Sequence, residues 1–404
     1  MSARYRLMAL CWILQFVNYV DRVSISVTAP SMMKDLHLDA GQFGLIFGAF
    51  SIGYTFMQLP GGMMADRFGA KAMLVGAPLI FSVFTGLTGL VSSLGALLMV
   101  RLCFGLAEGS NNSAVYKVVA DNFSKKEAAK AHSVWLSALA IGPAVVAPVV
   151  VLFLTHATWR HVFYSFAIPG VFVSALIYFF LPNQRAVEPM TPAERQDRRA
   201  QWKSFLRLKS TWYLFTAYLT LDIGFWGFLA WMPTYLTLQR HIDLKALGYA
   251  ASIPYVFGFL GLVFFGLLGS GVMHRRRPML LGVAGICAAV ALYFTYTANS
   301  VQTCLIGLSV SAFLIWGMLA PYAGLVAELS PDRARGGFAG LINTGGQIGA
   351  LASPVLVGYI VKATGSFNGG FMMMVAAMVV SAGSFAMLQP YIGRRSATLM
   401  DARA

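Results

Sequence analysis

In the stretch LLMVRLCFGLAEGSNNSAVYK, Arg101 and Glu108 stand seven residues apart inside an otherwise apolar run. Two helical turns separate them, so on an α-helix they share a face, about 10 Å apart along the axis. Asn111 and Asn112 continue that face one turn on. A second run, LMALCWILQFVNYVDRVSISVTAP at residues 7–30, sets Asp21 beside Arg22, while Gln15, Asn18, Arg22 and Ser26 recur at spacings of three and four. Adjacent helical residues point about 100° apart. Asp21 and Arg22 therefore address different neighbours, and we expect Arg22 to face a substrate and Asp21 to face Arg101. Ser51, Tyr54 and Gln58 make a third polar stripe.

These residue types suit one kind of chemistry. Arginine keeps its charge when buried, and its planar fork fits carboxylate or phosphate. A carboxylate in an apolar wall can take up and release a proton. One beside an arginine stays ionised until the arginine finds another anion. Arg22 and Arg101 would take the carboxylate of an organic anion, and Asp21 and Glu108 would take the accompanying proton. The competing structural reading makes Asp21 and Arg101 a fixed ion pair and Glu108 a hydrogen bonder between helices. Asp222, in YLTLDIGFWGFLAWMPTYL, is the third acid deep in an apolar run. It would be a further proton site or a reader of a substrate amine or hydroxyl. Asn343 and Gln347, one turn apart in LINTGGQIGALASP, can bind hydroxyls or serve helix packing equally well. Lys117 is either a site residue or an interface anchor.

Membrane-spanning helices must hold these groups. The chain has 404 residues, 58% hydrophobic and only 11% charged, with a mean hydropathy of +0.68. Soluble domains are nearer about 25% charged. Runs long enough to cross a bilayer fall at about 7–29, 43–65, 72–92, 95–119, 131–154 and 161–181. They resume at about 211–236, 247–270, 279–298, 302–327, 338–361 and 369–391. The pattern predicts an all-α integral membrane protein of 12 transmembrane helices in two six-helix bundles around a central cavity. Residues 1–181 and 211–391 are the bundles, 182–210 a cytoplasmic linker with a short amphipathic helix around Ala193–Leu208, and 392–404 a cytoplasmic tail.

A net charge of +15 follows topology rather than nucleic acid. Of 30 Lys and Arg, three lie within spans (Arg22, Arg101, Lys117) and five in alternate loops (Lys34, Arg160, Arg240, Lys245, Lys362). The other 22 lie on the opposite side, which the positive-inside rule makes cytoplasmic along with both termini. Anionic lipids of that leaflet are the implied partner. GGMMADRFGAK (61–71) puts Asp66, Arg67 and Lys71 at the cytoplasmic mouth, where they would latch a gate, and GSGVMHRRRP (269–278) is its weaker echo. The four cysteines and six histidines have no metal spacing, no phosphate-binding loop occurs, and no nucleophile has an evident base. We expect no enzyme, no metal and no cofactor beyond a proton gradient.

NYVDRVSISVTAP, GGMMADRFGAK, RLCFGLAEG, WMPTYL, ELSPDRARGG and NTGGQIGALASPVLVGYI with ATGSFNGG occur in order. Through them the chain resembles the major facilitator superfamily. More narrowly it resembles the anion:cation symporter family of bacterial galactonate, glucarate and hexuronate transporters and animal sialic acid and vesicular glutamate carriers. The resemblance implies that Arg22, Tyr54 and Arg101 engage the substrate's acid end, that Asp21 and Glu108 couple protons, and that Asn343 contacts the substrate. Lys117 falls where relatives often carry a basic residue. Ser113 replaces a frequent proline, Leu139 a frequent glutamine of sugar-acid carriers, and Asp222 a neutral polar residue.

The combined expectation is a monomeric, multi-pass bacterial inner-membrane symporter. It imports a small organic carboxylate, such as a sugar acid or aromatic acid, with protons by alternating access. An organic-anion exporter or exchanger, or a non-translocating sensor, is the alternative.

Overall fold

The computed structural model describes residues 3–123, 125–182, 205–330 and 335–392. Most of the expected linker at 182–210 and nearly all of the tail at 392–404 lie outside the described residues. Within them the chain is α-helical, without a strand. The helices are α1 (Ala3–Asp35), α2 (Ala40–Phe68), α3 (Ala70–Thr88), α4 (Leu94–Glu108), α5 (Asn111–Asn122), α6 (Lys125–His156) and α7 (Trp159–Phe180). Then come α8 (Lys209–Leu238), α9 (Leu244–Ser270), α10 (Arg277–Thr297), α11 (Val301–Leu329), α12 (Arg335–Thr364) and α13 (Asn368–Ala386).

Twelve apolar runs thus become twelve spanning elements, eleven of them single helices. The fourth run, expected as one helix over 95–119, breaks at Gly109 and Ser110 into α4 and α5. Ten helices are long and apolar enough to cross a bilayer on their own. The halves of the broken span, 15 and 12 residues, are too short separately, and α1 is diluted by its polar stripe. Local chemistry sets several helix starts. Asp39 and Gln42 form a reciprocal capping box at α2, and the hydroxyls of Ser93 and Ser300 accept from the first turns of α4 and α11.

The chain divides into two compact units. The first gathers the described residues of Met1–Glu188 with Leu229–Ser252 and Pro354–Gly365. Lipid offers no hydrophobic drive between helices, so small residues that let backbones touch decide the packing. Where α2 crosses α4, a Cβ on Gly53 would strike the carbonyl of Leu102. One on Gly105 would strike that of Phe50, and one on Gly109 that of Tyr54. Gly142 of α6 lies against Tyr19 of α1, and Gly170 of α7 against Ser82 of α3. The last turns of α8 and the end of α12 also belong here. The Trp231 indole donates to the Pro354 carbonyl at 2.9 Å and meets Phe43 and Phe47 edge-on, while Lys362 pairs with Asp39 at 3.0 Å.

The second unit gathers the described residues of Pro189–Phe228, Ile253–Ser353 and Ser366–Ala404. Its crossings repeat those of the first. Gly261 of α9 lies on the Phe313 carbonyl of α11, as Gly53 lies on Leu102, and Gly349 of α12 lies on the Leu219 carbonyl of α8. Gly285 of α10 meets Ala382 of α13. The Ser353 hydroxyl donates across to the Ile223 carbonyl at 2.6 Å, and that of Ser381 to Ala217 at 2.9 Å. The internal duplication faintly visible in two loops is plain in these contacts.

Candidate functional site

Arg22, on α1, projects toward α4 and donates from Nη2 to Oε1 of Glu108 at 2.5 Å. The pair is deeply buried, at 8% and 1% side-chain exposure. The α2–α4 crossing makes this possible. Three glycines bring α2 close enough for Phe50 and Tyr54 to reach the guanidinium, whose Cζ lies 4.9 and 4.8 Å above their rings. Tyr19 supplies a third ring at 4.9 Å. The cation is thus held by one carboxylate and the faces of three aromatic rings, a favourable setting for a desolvated guanidinium.

Asp21 points elsewhere, as adjacency requires. Its Oδ2 accepts from the hydroxyl of Thr85 on α3 at 3.3 Å. Arg101 is an electrostatic neighbour of both Asp21 and Glu108, but its guanidinium sits over the rings of Phe104 and Phe163, 5.2 and 5.6 Å away. The expected orientation is therefore revised. Arg22 engages Glu108, and the nearest hydrogen-bonding partner of Asp21 is Thr85 rather than Arg101.

The site holds buried polar atoms in excess of their protein partners. Oδ1 of Asn18, Oδ1 of Asp21, Nε of Arg101, Oε2 of Glu108 and both amide atoms of Asn111 have none. Buried polar atoms are ordinarily satisfied, so these stand out among the buried groups of the first unit. Next to them the Asn112 amide donates to the Tyr54 hydroxyl at 2.6 Å. The break after Glu108 gives these asparagines their own helix start at α5.

Asp21, Arg22, Tyr54, Arg101 and Glu108 are brought together within the first unit. Lys117 is not joined to them by any ion pair; its Nζ lies 3.8 Å from Asp66. Arg67 lies over the ring of Phe68 and Lys71 over that of Tyr178. Asn343 and Gln347, half-buried on α12, and Asp222, buried on α8, belong to the second unit. Leu139 is buried on α6. Sequence reasoning missed Thr85, Tyr19, Phe50 and Phe163. The signal for Thr85 was available: Ser82, Thr85 and Thr88 recur at intervals of three in α3. Nothing in the spacing marked the aromatic residues, because such residues are common in every span.

The family model of the Major Facilitator Superfamily matches residues 11–354 and 236–399. This chain belongs to the major facilitator superfamily. Among curated relatives of this facilitator, a hexuronate transporter of Bacillus subtilis (strain 168) is 30% identical over 95% of this chain and 94% of its own. A probable galactarate/D-glucarate transporter of Escherichia coli (strain K12) is 29% identical over 96% and 93%. A probable sulfoacetate transporter of Cupriavidus necator is 28% identical over 97% and 95%. Among solved structures, an inward-facing, unoccupied bacterial homologue of the human lysosomal transporter Spinster superposes with a TM-score of 0.80. It has 17% identity and covers 98% of both chains, which establishes the fold alone. The facilitator is accordingly a multi-pass membrane transporter and not an enzyme.

Proposed function

We propose that this protein is a proton-coupled symporter that imports a small organic carboxylate, a sugar acid first among the candidates. The observation that carries the reading is the buried Arg22–Glu108 pair. While Glu108 is ionised it occupies the guanidinium that an incoming carboxylate needs. Once Glu108 takes a proton, Arg22 is released and the substrate's carboxylate replaces it, so that anion binding and proton binding favour each other. Arg101, also an electrostatic neighbour of Glu108, supplies a second positive charge. Asp21, held by Thr85, is the second proton carrier, and Tyr54 with Asn112 lines the acid end. Asn343, on α12, contacts the substrate, and Gln347 on the same helix is a further candidate. Asp66, Arg67 and Lys71 serve gating, with Lys117 held to Asp66.

The relatives' sugar-acid substrates support this class of ligand, and the Lys and Arg distribution supports an inner-membrane protein with both termini cytoplasmic. The protein works as a monomer with anionic lipid against its cytoplasmic face.

The test is uptake into proteoliposomes under an inward proton gradient, with D-glucuronate, galactarate and D-glucarate as probes. Wild type accumulates at least one of them against its gradient. Glu108→Gln abolishes accumulation but retains exchange of labelled for unlabelled substrate. Accumulation that survives Glu108→Gln would overturn the coupling role, and failure of every small carboxylate would overturn the substrate class.

A further inference from the structure

Asp222 is a third intramembrane carboxylate, and the Arg22–Glu108 couple does not use it. It lies in the second unit, 3% exposed, where α8 crosses α12. A Cβ on Gly346 would meet its Oδ2 at 2.7 Å, and one on Gly349 would meet its Cβ at 3.2 Å. The carboxyl is therefore held between two closely approaching helices. The indole of Trp226, one turn along α8, is its hydrogen-bonding neighbour.

Among the described residues, no lysine, arginine or histidine pairs with it. From α12 the crossing receives Gly345, Gly346 and Gly349. From α13 it receives Met374 and Met378, packed on Gly227 and Gly224. From α11, Trp316 packs against Phe225, and Tyr322 stacks on Tyr218 at 4.1 Å. The ionisable group beside Asp222 at this crossing is Tyr218 of its own helix, with Tyr322 stacked on it, and neither is a cation at any pH. An ionised carboxylate here would have one neutral N–H for company, which a membrane interior penalises. Asparagine would fill the same space and accept the same hydrogen bond without that penalty. What aspartate adds is an exchangeable proton. Tyr218 and Trp226, one turn to either side, are only half-buried, so the stripe is not sealed inside the helix packing.

We propose that Asp222 is a further proton site, separate from Glu108 and Asp21, that adds one proton to those accompanying each organic anion. The proton arrives from water on one side of the membrane and leaves to water on the other, and no other bond is made or broken. The cycle rests on the symporter reading, but the protonated state in the helix crossing does not.

Two measurements on the full chain in lipid keep these apart. Infrared spectra across the neutral pH range should contain the C=O stretch of a buried carboxylic acid, present in wild type and Glu108→Gln and lost in Asp222→Asn. Trp226→Phe should shift that band to higher frequency, which gives a second reading if the asparagine variant does not fold. With D-glucuronate, the ratio of protons to substrate, read with an entrapped pH dye, should fall by one in Asp222→Asn. A band unaffected by both substitutions would overturn the site. A lost band with an unchanged ratio would overturn its part in coupling. If wild type moves no sugar acid, the symporter reading fails, and the infrared result still decides whether Asp222 holds a proton.

Discussion

Nη2 of Arg22 and Oε1 of Glu108 lie 2.5 Å apart across the α1–α4 interface, 86 positions apart in the chain. Removing one member strands the other. Arg22→Met leaves a buried carboxylate without its cation, a loss of about 3–5 kcal/mol. Glu108→Gln costs less, because three aromatic rings still face the guanidinium. The double variant should recover much of the Arg22→Met loss. Thermal unfolding of the purified proteins, read as a double-mutant cycle, gives the coupling energy.

Thr85 donates the hydrogen bond that Asp21 receives. Deleting a hydrogen bond to a charged group costs about 1.5–3 kcal/mol, and a 3.3 Å bond sits at the lower end. Thr85→Val should slow uptake about tenfold. Thr88→Val is the control, since that hydroxyl returns to the Phe84 carbonyl of its own helix at 2.8 Å, and it should transport at the wild-type rate.

The helix crossings predict opposite signs for the same change. Gly53→Ala drives a methyl into the Leu102 carbonyl and should remove most folded protein from a detergent extract, as judged by size-exclusion chromatography. A Cβ on Gly76 meets nothing within 4 Å. Gly76→Ala should therefore stabilise by up to about 1 kcal/mol through helix propensity.

Acid should loosen the turn that joins α1 and α2. The guanidinium of Arg160, with the indole of Trp159, holds the Asp35 carboxyl below the usual carboxylate range. The backbone N–H of Gln42, then Lys362, does the same for Asp39. A depressed carboxyl stabilises the fold fully above its unfolded value of about 3.9. That stability disappears as pH falls through the lower folded value. Melting temperature should drop below about pH 4, and less steeply in Asp39→Asn. Both groups are exposed enough that each ion pair contributes about 0–1 kcal/mol.

The participants in the site could be read from the sequence far better than their partners. Burying charge in lipid is costly enough that Asp21, Arg22, Arg101, Glu108 and Asp222 stand out from composition alone, and run length gave all twelve spans. Pairing depends on helix rotation and crossing angle, which one-dimensional spacing leaves open. A separation of about 100° between Asp21 and Arg22 says that they differ, without saying which meets Glu108. The break at Gly109 and Ser110 escaped notice for a related reason. Glycine is frequent inside spans, and only the Tyr54 carbonyl pressed against Gly109 distinguishes this one.

The contact of Gly53 with Leu102 in the first unit recurs as Gly261 with Phe313 in the second. The two copies of this scaffold have drifted apart in polarity. Stepping along α11 from Phe313 as Arg101 and Glu108 lie from Leu102, one arrives at Ala312 and Leu319. At these matched positions the buried charges therefore stand in one copy alone. The second copy, whose buried acid Asp222 stands on a different helix, can change the polarity of this crossing without disturbing the charged pair of the first.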